Sequence, residues 1–188
     1  MGEGAMRTIA TEGDRAGDRE TVSRLIGRPV RCGFAVVVRD EMGSPVVIQN
    51  EPLLDDGTPM PTRWWLTSRD LCAAVGRVEA GGGVRLASET VDPMELEQAH
   101  AQYARERDRA LPSGHSGPRP TGGVGGARAG VKCLHAHLAW YLAGGGDPVG
   151  LWVAGRIGIG RSGPFRAVAE ANCETVGGDF LHGRLQRS

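Results

Sequence analysis

Two patterns of apolar and polar residues divide this chain. Before residue 68 the apolar residues come in short β-branched runs; after it they recur at intervals of three and four. The runs predict three strands, within PVRCGFAVVV (29–38), PVVIQN (45–50) and TRWWLT (62–67). The turn Met42-Gly43-Ser44 makes the first two a candidate hairpin. TVSRLIG (21–27) predicts a short helix before them. In TRWWLT, alternation turns one of Trp64 and Trp65 inward and the other outward.

The second half is punctuated by helix signals. Ser68 is placed to cap RDLCAAVGRVEA (69–80), which Gly81-Gly82-Gly83 should end. Asp92, Pro93 and Glu95 form an N-cap, a first-turn proline and a capping box for a helix running to about Ala110. A long glycine-rich loop, 111–130, leads into VKCLHAHLAWYLA (131–143), read as a helix stopped by three glycines. Asp147-Pro148 repeats the cap-plus-proline start for VGLWVAGRI, and PFRAVAEANCET (164–175) is a candidate short helix. Strands precede helices, so the expected class is α+β: a small antiparallel sheet of about three strands packed against about four helices. Residues 1–20 are expected to be disordered, 21–157 to form one domain, and 158–188 to be a poorly ordered extension.

Charge and composition narrow the partners. The chain has 188 residues, with 22 Lys and Arg against 22 Asp and Glu. A neutral total gives no global reason to expect nucleic acid. No apolar run reaches the ~20 residues that span a bilayer. The N-terminal residues lack the apolar stretch of a signal peptide. Cys32, Cys72, Cys133 and Cys173 are scattered without a CxxC pair. A cytoplasmic protein with reduced thiols is therefore expected.

The chemistry concentrates in GVKCLHAH, Gly130 to His137. On a regular helix each residue turns by ~100°, which places Cys133 and His137 together and His135 nearly opposite. A metal site would then recruit from elsewhere: His100 on the capped helix, and Cys32 in RCGF. Cys133, His137, His100 and Cys32 are a sensible zinc set. The glycines and cations before the helix suggest instead an anion site, with Arg119, Arg128, Gly130, Lys132 and free N–H groups holding a phosphate-type ligand. That gives a small binding or regulatory protein as the first functional reading and a phosphorylated small molecule as its partner. A metal-dependent, hydrolase-like enzyme using Cys133, His137 and His100 is the second. Cys133 as nucleophile with His137 as base is a weaker candidate, because no arginine follows Cys133 until Arg156. Plain packing of these side chains is the bland alternative. Glu79 stands out separately: a carboxylate at a helix end is unfavourable, which hints at an ion pair with Arg77 or Arg85 or at a role in a site.

Several stretches together carry a resemblance: GSPVVIQNEPLLDDGTPMPTRWWLT, GRVEAGGGVR, AHAQYARERD and GVKCLHAHLAWYLAGGGDPVG. In this order they resemble the bacterial family known as domain of unknown function 501, over roughly residues 28–152. The family brings no reaction with it. Many members carry a cysteine in the WLT segment where this chain has Ser68. Members often sit near genes for a septum-formation protein and an exopolyphosphatase-type phosphatase, which implies a protein partner in cell division or envelope growth as a third expectation.

Overall fold

The computed structural model describes residues 17–160 and 165–167. Strands β1 (Phe34–Asp40), β2 (Pro45–Asn50) and β3 (Trp64–Leu66) pair antiparallel, and a short β4 (Phe165–Ala167) adds to the free edge of β1. The sheet order is β3-β2-β1-β4. The expected hairpin closes where the Asp40 carboxylate accepts the Ser44 N–H and Gly43 turns with φ 81°. Residues 165–167, expected in a helix, are extended because they complete the edge of β1. The rest of the 164–175 candidate lies outside the described residues, as do residues 1–16.

Both faces of the sheet are covered, which explains the unbroken apolar run of β2. One face carries Val36 and Ile48 against Val22 of α1 (Asp18–Ile26), with Val30 and Cys32. Residues 18–20, expected to be disordered, are the first turn of that helix. Buried Arg39 of β1 ties it down through an ion pair with Asp18. The other face carries Val38, Val47, Trp64 and Leu66 against the helical layer.

That layer holds five helices: α2 (Arg69–Ala80), α3 (Gly83–Thr90), α4 (Pro93–Arg109), α5 (Leu134–Leu142) and α6 (Pro148–Ile157). With α1 the described residues contain six α-helices, more than the four expected. The class is α+β, as expected. The Ser68 side chain accepts the Leu71 N–H, Asp92 accepts from Met94 and Glu95, and Asp147 accepts from Gly150. All three expected caps are therefore made. Helix α3 escaped the pattern because no side chain caps it. Gly82, left-handed at φ 83°, stops α2 and starts α3 in one step.

Aromatic rings join the layers. Tyr103 of α4 packs edge-on to Trp64 and Trp140, at centroid distances of 5.0 and 5.3 Å. Its hydroxyl accepts the Arg63 N–H at 2.7 Å and so fixes the entry to β3. Helix α4 also anchors the long loop: buried Arg107 donates to the Gly122 carbonyl at 2.6 Å. No helix among the described residues is long and apolar enough to cross a membrane.

Helices α5 and α6 approach closely at Gly150. A Cβ there would lie 2.5 Å from the His137 carbonyl oxygen, and it would also meet Tyr141 Cβ. Gly150→Ala is therefore expected to destabilise the fold by about 1–3 kcal/mol, the scale of overpacking, as read from urea unfolding.

Candidate functional site

The decisive local feature is the start of α5. Cys133 is extended, with φ −150° and ψ 114°, and the helix begins one residue later. The expected helix from Val131 is thus too long at its start. Cys133 turns to His135, with Sγ 4.0 Å from Nδ1, rather than sharing a helix face with His137. The helical-wheel pairing fails because Cys133 is outside the wheel.

Glu79, in the last turn of α2, completes the cluster. Its carboxylate accepts the Leu134 N–H at 2.7 Å and lies 3.3 Å from His135 Nδ1. The unfavourable end of α2 is offset by the favourable start of α5, where free N–H groups welcome a carboxylate. Neither expected arginine partner is used, and Arg85 pairs with Glu89. On its other side, His135 Nε2 hydrogen-bonds the Cys72 carbonyl at 3.1 Å. Among the described residues, Glu79, Cys133 and His135 are the one group of three such side chains with donor atoms within 4.8 Å of one another.

The electrostatics follow from these contacts. Cys133 and then Glu79 outweigh burial and push His135 up to about 9. Burial raises the Cys133 thiol, but His135 and the Ala136 N–H outweigh it, and the thiol ends below its ordinary value. Burial raises Cys72, helped by the neighbouring Cys133. Burial, then Asp55 and Glu51, lifts Cys32 to about 11.

The other candidates lie apart. Cys32 is in the core on the α1 side of the sheet, with its Sγ 3.6 Å from Asn50 Oδ1. His137 is fully buried, and its Nδ1 lies 2.8 and 3.0 Å from the two Asp147 carboxylate oxygens. Its Nε2 has no hydrogen-bond partner among the described residues. His100 packs beside it, ring centroids 5.8 Å apart. His100 Nδ1 accepts the Val124 N–H at 3.1 Å, so its Nε2–H donates to the Gly130 carbonyl at 3.0 Å. Both His100 nitrogens are thereby committed to pinning the loop. The set Cys133, His137, His100 and Cys32 therefore does not converge. Arg119, Arg128, Gly130 and Lys132 are all exposed at the surface.

A cavity of about 500 Å³ opens beside the cluster, between the start of α5, β3 and the end of α1. Cys72, Cys133 and His135 line it together with Trp64, Trp65 and Arg28. Trp65, on the opposite face of β3 from Trp64, lies under Arg28, whose guanidinium carbon is 4.8 Å from the ring centroid.

A family model described as "Protein of unknown function (DUF501)" matches residues 36–155. The chain belongs to this family. The DUF501 match spans β1 to α6 and so contains Glu79, Cys133 and His135. No curated protein and no solved structure matches the chain. Within this DUF501 chain, sequence reasoning marked Glu79 through its misplacement and Cys133 through its setting. It missed His135 as their partner, because a regular helix from Val131 would have turned that ring away.

Two outcomes are expected. In metal-free protein at about neutral pH, where the thiolate is the reacting form, iodoacetamide labels Cys133 first and Cys32 last among Cys32, Cys72 and Cys133, as read by peptide mass spectrometry. Burial also holds His100 below its ordinary 6.5. The unfolded chain takes up that proton first, so this stabilisation is complete above 6.5 and is lost as pH falls through the lower folded value. Urea unfolding should show stability falling on acidification below 6.5, with that component absent in His100→Phe.

Proposed function

We propose that Glu79, Cys133 and His135 hold a zinc ion and that the chain is a metal-dependent enzyme of the hydrolase type. The observation that carries this reading is the convergence of three donor atoms while His135 Nε2 is tied to the Cys72 carbonyl. With an ion in place of the Nδ1 proton, Nε2 would keep its proton on the Cys72 carbonyl and Nδ1 would offer its lone pair. Metal-ligating histidines are typically held this way, through the other ring nitrogen. Thiolate, imidazole and carboxylate together suit zinc. Three protein ligands with a fourth position open is the pattern of catalytic zinc, whereas structural sites close with four. Here the ligands Cys133 and His135 border the cavity. Held by Glu79, Cys133 and His135, such an ion would supply Lewis-acid chemistry toward water and a carbonyl or phosphoryl group.

A cysteine-nucleophile reading fits less well. In a Cys-His-carboxylate relay the thiol and the carboxylate sit on opposite ring nitrogens. Here both approach His135 Nδ1. The anion site at the glycine-rich loop also has thinner support. The N–H that opens α5 bonds Glu79, and Gly130 gives its carbonyl to His100.

Elemental mass spectrometry of tag-free protein, purified under reducing conditions, tests the proposal. About one zinc per chain is expected, near-stoichiometric as for a site of three N, S and O ligands. Cys133→Ser and His135→Ala should each lose it, while His100→Ala and Cys32→Ser keep it. Metal-free protein after growth and refolding with zinc, or zinc retained in full by both Cys133→Ser and His135→Ala, would overturn the reading.

A further inference from the structure

The cavity beside the cluster has a charge pattern of its own. Arg28 and Arg69 both line it, and no aspartate or glutamate does. Among the described residues neither arginine forms an ion pair. Arg69 donates to the Arg24 carbonyl at 2.8 Å, and Arg28 lies against the Trp65 ring. A guanidinium stacked on an indole keeps its edge N–H groups free, in the fork geometry that matches a carboxylate or phosphate. The rest of the lining is mostly apolar and includes Leu25, Ile26 and Trp65. Cys133 and His135 line the same cavity. A volume of about 500 Å³ falls in the range that encloses a small molecule.

We infer that the substrate is a small molecule with an anionic head, carboxylate or phosphate, on an apolar body, its head held by Arg28 and Arg69 and its body laid along Leu25, Ile26 and Trp65. The inference rests on the metal-site reading for where the reacting end lies. The two guanidinium groups select the head, and the apolar residues favour an anion with an apolar body over a free inorganic anion. This cationic site is separate from Arg119, Arg128 and Lys132, none of which lines the cavity.

Calorimetric titration of the full chain with phenyl phosphate, phenylacetate and neutral 2-phenylethanol tests it, in zinc-loaded and chelator-treated protein. At least one anionic probe should bind about tenfold or more tightly than the alcohol, the scale of a charge-assisted hydrogen bond. Which anion binds separates a phosphate from a carboxylate head. Arg28→Gln and Arg69→Gln should each weaken the anionic probe and leave the alcohol unchanged, while Arg128→Gln should change neither. The bound anion should also slow iodoacetamide labelling of Cys133 in the chelated protein. Equal affinity for the alcohol and both anions, unchanged affinity in both cavity variants, or loss confined to Arg128→Gln would overturn the inference. Zinc content of the same samples keeps the two readings apart. Anion binding that depends on Arg28 in zinc-free protein supports this inference even where the metal reading fails.

Discussion

A carboxylate at the closing turn of α2 meets the first N–H of α5, and the Glu79, Cys133 and His135 cluster is organised around that contact. Each partner is poorly placed without the other. Glu79 sits at the negative end of its own helix, and the Leu134 N–H begins a helix that no side chain of Cys133 caps. Joining them satisfies both ends at once. The join fixes where α5 starts, leaves Cys133 extended and brings His135 against α2. A start at Val131 would wind Cys133 into the helix and dissolve the cluster.

The opposite side of α5 is held by a different device. Fully buried Asp147 caps α6 through Gly150 and also meets His137. One carboxylate therefore sets the start of α6 and the rotation of α5. Two histidines two residues apart thus serve separate ends. His137 is locked inside the helical layer against Asp147. His135 borders the cavity. The same short segment sends its two histidines into different settings because successive helical residues face different neighbours.

Much of the fold was legible in the chain. Ser68, Asp92 and Asp147 announce helix starts through side chains that bond the backbone locally, and such signals need no tertiary knowledge. The three main strands were legible from their β-branched runs, which are also local signals. Helix α3 was not, since Gly82 leaves no cap to read. The cluster was only half legible. Glu79 was visible as an electrostatic misfit, and Cys133 by its setting. Their meeting depended on one backbone angle pair at residue 133, which periodicity does not encode. Cys32 looked like a ligand by residue type, yet the sheet separates it from Cys133.

The anchoring of the long loop has a mechanical meaning. Helix α4 grips the chain at Gly122 through Arg107, and at Val124 and Gly130 through His100. The last grip comes three residues before Cys133. Slack introduced between residues 111 and 120 is therefore absorbed upstream of these clamps and does not reach the cluster. The loop behaves like a rope belayed at its working end: its free length can change while the position of Cys133 stays under the control of α2 and α4.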